Sequence, residues 1–158
     1  MKPSIIMQYL VEALLLTALA VPTLERRDTC KLLLVIESLN VLRFGGALGA
    51  LTVLATAPVP WFIAQVAIGD AVAATSATVA LVMLVRRSRH TIKAVFVANA
   101  IGLFGIVVSE TCLQWLETTG RIARPTTLHG PTIGSAIFTA LHLLAFTVVR
   151  KRAVPARA

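Results

Sequence analysis

The sequence predicts an all-α fold, an integral membrane bundle of five transmembrane helices that forms a single domain over residues 1–158. Three observations predict it. Hydrophobic residues make up 57% of the chain and the mean hydropathy is +0.84, well above the values of soluble domains. The apolar residues form five stretches long enough to cross a hydrocarbon core of about 30 Å. The basic residues fall mainly between these stretches, which are residues 4–21, 32–57, 61–85, 92–113 and 131–149.

The first stretch, residues 4–21, superficially resembles a signal peptide because it is short and follows Lys2. Glu12 interrupts its apolar centre, and cleavage would leave the next basic loop on the wrong side of the membrane. We therefore predict a retained helix. If this stretch does not span, a four-helix bundle with the same orientation remains.

The second stretch, residues 32–57, carries three polar side chains at helical spacing. Glu37, Asn40 and Arg43 lie three residues apart and fall within one 120° arc of a helix. A charged residue at the centre of a membrane helix costs about 2.5–3.5 kcal/mol unless it faces a partner, a cavity or water. Arg43 therefore predicts an acidic or amide partner on a neighbouring helix.

The same stretch has a second face made of small residues. Gly45 and Gly49 have the G-x-x-x-G spacing that allows close helix packing, and Ser38 and Thr52 lie on the same arc. This face predicts a further packing contact, either within the chain or with a partner helix or second copy.

The third stretch follows a very short turn. Pro58 and Pro60 end one helix and begin the next, so the second and third helices form an antiparallel hairpin. Asp70 lies at a similar distance from this turn as Arg43, on a face rich in alanine. We predict an Arg43–Asp70 ion pair, with Glu12 or Glu37 as the alternative partner.

The last two stretches also bring polar groups inward. Asn99, Gly102 and Glu110 share one face of the fourth helix, and His142 lies on the fifth helix with Ser135 on its face. An isolated histidine in an apolar helix is more often a satisfied core residue than a ligand. His142 is therefore read as a member of a polar cluster rather than as a metal or haem ligand.

Charge placement predicts the orientation. Two loops and the C-terminal tail, which share one side, carry eleven Lys and Arg residues, and the other side carries three. The positive-inside rule places the richer side in the cytoplasm, with the N-terminus outside and the C-terminus cytoplasmic. Trp61 and Trp115 then both lie at the external interface. The expected partner is the lipid bilayer of the cell (cytoplasmic) membrane, not nucleic acid.

No cofactor or metal is expected. Cys30 and Cys112 lie on opposite sides of the predicted membrane, so we expect both to be free thiols. His90 and His129 lie in loops on opposite sides, so His142 has no second histidine at membrane depth with which to bind a haem or a metal.

Four short motifs resemble those of a group of uncharacterised bacterial integral membrane proteins. In chain order they are Arg43-Phe44-Gly45-Gly46, Gly69-Asp70, Asn99-x-x-Gly102 and Leu141-His142. The resemblance covers residues 43–146 and implies the same fold and the same cluster residues, without an established activity. Where that group tends to carry an acid after the Asn-x-x-Gly motif, this chain has Gly105.

These residues define a candidate buried cluster at similar membrane depths, and ionisable groups inside a membrane are candidate functional residues. Its members are Glu12, Glu37, Asn40, Arg43, Asp70, Asn99 and His142. The leading hypothesis is non-enzymatic: the cluster binds or passes a proton, an ion or a small polar molecule. A membrane enzyme acting on a lipid or isoprenoid, and an accessory or structural subunit, are the alternatives. A purely structural role, in which hydrogen bonds fix helix register, also fits.

Overall fold

A computed structural model describes the backbone of residues 5–24, 28–122 and 131–153, and the side chains of residues 11–20, 28–122 and 134–150. These residues are helical apart from short turns, and no strand occurs among them. The helices are α1 (Ile5–Leu24), α2 (Thr29–Val41), α3 (Arg43–Val53), α4 (Pro60–Val85), α5 (Thr91–Thr118) and α6 (Pro131–Ala153), with a 3₁₀ turn at Leu54–Thr56. The predicted all-α class is confirmed.

The second predicted helix differs from expectation, because it is divided at Leu42. The Leu42 amide donates to the Leu39 carbonyl at 3.1 Å, and the Gly45 amide donates to the Leu42 carbonyl at 2.9 Å. These bonds close three-residue turns, which tighten the helix locally. Arg43 is therefore the first residue of α3 rather than a residue in the middle of one helix.

The turn between α3 and α4 forms as predicted. Ala57 is extended, and Pro60 is the first residue of α4, where its missing amide leaves no donor without a partner. Val59 is buried beneath the turn. The two helices pack against each other as an antiparallel hairpin.

The α3–α4 hairpin contributes helix α4 to a core of four helices, α2, α4, α5 and α6. Helix α4 packs against α2, α3 and α5, and α6 packs against α2 and α5. Helix α1 lies outside this core and contacts α6 and, to a lesser extent, α5. The interior between α2, α4, α5 and α6 is therefore surrounded by these four helices.

Helix α4 places small side chains inside, and many large apolar side chains of the bundle are exposed. Ala74, Ala77 and Ala80 of α4 are fully buried, whereas Ile68 and Phe104 are exposed. This pattern suits a membrane bundle, in which close backbone approach replaces the hydrophobic effect.

Three helices are long and apolar enough to cross a membrane: Thr29–Thr56, which comprises α2, α3 and the 3₁₀ turn, Pro60–Val85 and Thr91–Thr118. Two shorter apolar helices, Val11–Ala20 and Gly134–Arg150, occur among the described residues.

The small-residue face of α2 and α3 has no packing partner in the part of the chain that the structure describes. Ser38, Gly45, Gly49 and Thr52 are exposed, and nothing lies within 4 Å of a side chain built at Gly45 or Gly49. His129 and seven of the basic residues used for the orientation lie outside the described side chains; those seven are Lys2, Arg26, Arg27, Arg124, Lys151, Arg152 and Arg157.

Candidate functional site

Arg43 lies at the centre of a buried set of polar contacts. Its side chain is 4% exposed, and both Nε and Nη2 donate to Oδ1 of Asp70, at 2.8 Å and 2.7 Å. The short turn before α4 brings these two residues together, and the predicted pairing is confirmed. Asp70 keeps 20% of its side chain exposed, so the pair lies at the edge of the bundle interior.

The opposite edge of the guanidinium faces α5 and α6. Nη1 donates to the Gly102 carbonyl at 3.2 Å and lies 3.3 Å from Nε2 of His142, while the Phe138 ring lies under the cation at 5.4 Å. Arginine has no acceptor atom, so Nε2 of His142 must accept this hydrogen bond and carries no proton.

This assignment fixes the other nitrogen of His142. With Nε2 as acceptor, Nδ1 carries the ring proton and donates to Oδ1 of Asn99 at 2.7 Å. The imidazole therefore joins the Arg43–Asp70 pair to the polar side chains of α5.

Asn99 connects three helices. Its Oδ1 accepts from His142 and, at 3.4 Å, from Nδ2 of Asn40, and its own Nδ2 donates to Oε1 of Glu37 at 2.6 Å and to the Val95 carbonyl at 2.8 Å. A continuous chain of contacts thus runs from Asp70 to Glu37. We call it the polar network; its members are Asp70, Arg43, His142, Asn99, Asn40 and Glu37.

Two acceptor atoms at the Glu37 end of the polar network have no hydrogen-bond partner among the described residues. They are Oε2 of Glu37, whose residue is 0% exposed, and Oδ1 of Asn40, whose residue is 2% exposed. A buried acceptor without a partner costs about 1–3 kcal/mol, and more when it is charged. Both residues lie on α2, one turn apart, and both contact Asn99.

Two glycines allow the network to close. A side-chain carbon at Gly102 would overlap the His142 imidazole and lie 3.2 Å from Nη1 of Arg43. One at Gly46 would lie 2.6 Å from Oδ2 of Asp70. The sequence motifs include both glycines, but the helical spacing indicated Gly45 and Gly49, where an added side-chain carbon would have no described atom within 4 Å.

A second polar set lies between α5 and α6, toward the far end of α5. Ser135 donates to Oε1 of Glu110, which is 3% exposed. Buried acceptor atoms of Glu110, Gln114 and Thr139 have no hydrogen-bond partner. We call these four residues the Glu110 group. Glu110 is not among the predicted cluster residues, although its position on the same helix face as Asn99 indicated that it points inward.

Six of the seven predicted cluster residues are therefore joined in the polar network. Glu12 is half-buried on α1, outside α6, and the other six are joined to one another without it. Within the described ranges, no three His, Cys, Asp or Glu residues are grouped to hold a metal ion. The chemistry available is that of one engaged guanidinium, one imidazole and carboxyl and amide oxygens.

A family model described as a domain of unknown function (DUF8737) matches residues 2–150. No curated protein and no solved structure matches the chain.

Proposed function

Since this chain belongs to the DUF8737 family, a domain of unknown function, we propose a role from its buried groups alone: it is a multipass protein of the bacterial cell membrane whose polar network binds, and passes, a proton or a small cation. In this proposal five segments span the bilayer, with the N-terminus outside and the C-terminus in the cytoplasm. They are α1, α2 together with α3, α4, α5 and α6.

The two ends of the bundle support this orientation. Arg86, Arg87 and Arg89 lie together at the end where α4 leads into α5. At the opposite end, the rings of Trp61 and Trp115 lie 6.4 Å apart. Basic residues on one side and interfacial tryptophans on the other match the charge rule and the aromatic belt of membrane proteins.

The observation that carries the proposal is the pair of buried oxygens without partners on Glu37 and Asn40. Arg43 is neutralised by Asp70, and its Nη1 is engaged by Gly102 and His142, so it offers little to an anion. An ionised carboxylate away from water is very costly without a compensating charge. Glu37 therefore favours a proton or a small cation as its ligand.

The Glu110 group supports passage as well as binding. The polar network and this group together hold one guanidinium and three carboxyl groups, so both ends favour positive charge. Glu110 and Asn99 are eleven residues apart on α5, which is roughly 16 Å along the helix axis. His142 and Thr139 of α6 lie along the same interface, so polar atoms extend through much of the bundle.

Transport by purified protein in liposomes tests the proposal. With an imposed proton, sodium or potassium gradient and an internal fluorescent reporter, we expect wild-type vesicles to dissipate at least one gradient faster than protein-free vesicles. Glu37→Gln, which removes the carboxylate and keeps the shape, should reduce this rate to the protein-free level. Glu117→Gln, near the end of α5, is the matched control and should retain the wild-type rate. Equal rates for Glu37→Gln and the wild type would contradict the proposal.

The two alternative roles have less support. A lipid-modifying enzyme that uses Asp70 or Glu12 as acid or base and Arg43 as electrostatic stabiliser needs a lipid-sized opening to these groups, whereas Arg43 is buried and only 20% of the Asp70 side chain is exposed. An accessory subunit is favoured by one observation, the exposed small-residue face around Gly45 and Gly49, which offers a surface for a partner helix or a second copy.

A further inference from the structure

A cavity of about 410 Å³ lies where α4 ends and α5 begins, and none of its lining residues belongs to the polar network. It is half-enclosed and is bordered by the start of α2 as well. Its lining includes Asp28, Cys30, Arg87, Arg89, Thr91 and Ile92.

The charge around this cavity is strongly positive. Arg87 and Arg89 line it, and Arg86 and Lys93 are exposed beside it. The acid on its lining, Asp28, accepts the Cys30 amide at 2.8 Å as the cap of α2, which gives that carboxylate a structural role. The first two residues of α5, Thr91 and Ile92, also border the cavity, and the N-cap residue His90 makes no side-chain capping bond. The cavity therefore favours an anion.

The backbone of Arg87 gives an independent indication. Its φ is +50°, a left-handed conformation that costs a residue with a side chain about 1–2 kcal/mol and usually selects glycine. The Arg87 amide bonds to the Leu84 carbonyl and the Ser88 amide bonds to the Met83 carbonyl, which is the usual way to end a helix with such a residue.

The same chain ends α5 with the same motif and uses glycine there. Gly120 has a φ of +69°, its amide bonds to the Glu117 carbonyl, and the Arg121 amide bonds to the Leu116 carbonyl. An arginine at the equivalent place after α4 therefore carries a conformational cost that glycine avoids. Such a cost points to a use for the side chain.

Hydrogen bonds hold the turn that presents the two arginines. The Thr91 hydroxyl lies 2.9 Å from the Met83 carbonyl and 2.6 Å from the Ser88 carbonyl, and Ser88 Oγ accepts the His90 amide at 3.3 Å. The backbone of this turn is therefore ordered before a ligand binds, which lowers the entropic cost of binding.

We propose that this cavity binds a phosphate group, supplied by the headgroup of an anionic phospholipid. Arginine is suited to phosphate because its fork of donors matches two phosphate oxygens. The cavity lies at the ends of α4 and α5, where headgroups would meet a membrane bundle, and Leu84 and Ile92 give it an apolar wall for the glycerol and first acyl carbons.

Lipid binding to the purified full-length protein tests this inference. The ligands are phosphatidic acid, phosphatidylcholine as the zwitterionic comparison, and inorganic phosphate as the soluble source. We expect wild type to bind phosphatidic acid at least about tenfold more tightly than phosphatidylcholine, because a phosphomonoester offers the arginines more negative charge and more free oxygens than a phosphodiester that carries a cationic choline. Inorganic phosphate should compete weakly.

Arg87→Gly separates binding from folding. It removes the side chain and relieves the backbone, so the variant should be as stable as the wild type or more stable, and its affinity for phosphatidic acid should fall about tenfold or more. Arg86→Gln, a neighbouring arginine outside the cavity lining, should bind nearly as well as the wild type. If Arg87→Gly destabilises the protein, Arg87→Gln decides by affinity alone.

Equal affinity of the wild type for both lipids, or unchanged affinity in the Arg87 variants, would overturn the inference. Equally tight binding of inorganic phosphate would overturn the lipid as the source. The inference does not rest on the proposed transport function, because the cavity and the Glu37 site share no residue.

Discussion

Asp70→Asn is expected to destabilise the protein by about 3 kcal/mol. Removing one partner of a buried ion pair typically costs about 3–5 kcal/mol, because the remaining charge is left without compensation. The lower end applies here, since 20% of the Asp70 side chain is exposed. Arg43 would remain 96% buried among Gly102, His142 and Phe138, none of which is negatively charged. Unfolding in mixed micelles, followed by circular dichroism, measures the loss.

The double variant Arg43→Met, Asp70→Asn is the matched control. It removes both charges, so no uncompensated charge stays buried, and it should recover part of the stability lost in Asp70→Asn. A stability loss in Asp70→Asn of less than about 1 kcal/mol, typical of an exposed surface pair, would contradict a buried guanidinium that depends on Asp70.

Gly102→Ala is expected to lower the stability of the protein by about 1–3 kcal/mol. An added side-chain carbon would overlap the His142 imidazole and lie 3.2 Å from Nη1 of Arg43, so both side chains must move. Alanine favours a helix over glycine by about 1 kcal/mol, so a loss of stability in this direction requires a steric cause. The same unfolding measurement applies.

Gly49→Ala provides the comparison, because nothing lies within 4 Å of its added carbon. It should stabilise the protein, by up to about 1 kcal/mol. A gain in stability from Gly102→Ala equal to that from Gly49→Ala would show that α5 and α6 do not approach as closely as described.

Much of the fold follows from local pattern. Prolines at 58 and 60 limit the α3–α4 turn to a few residues, so Arg43 and Asp70, at similar distances from it, must face each other if both point inward. Helical periodicity likewise places Asn99 and Gly102 on one face. These constraints act over short stretches, which is why the ion pair was predictable, and why the helices that begin at residues 60, 91 and 131 were predicted to begin within one residue of these positions.

The remaining details depend on how distant helices rotate and approach. Arg43 contacts the Gly102 carbonyl and the His142 imidazole across 59 and 99 residues of chain, and no local pattern specifies either distance. The break at Leu42 is similar, since Leu42 and its direct neighbours are neither proline nor glycine, and the nearby Gly45 does not specify its position. Close packing occurs at Gly102 rather than at the Gly45–Gly49 motif because the neighbouring side chains, not the spacing, determine where a side chain cannot fit.

The protonation of His142 in lipid bilayers tests the polar network most directly, because this ring joins Arg43 to Asn99. The chain has three histidines, so nitrogen-15 labelling of histidine and solid-state magnetic resonance can resolve the ring, with His142→Gln identifying its signals. We expect Nδ1 to carry the proton and Nε2 to carry none. A proton on Nε2 would mean that His142 does not accept from Arg43, and the continuous connection from Asp70 to Glu37 would not exist.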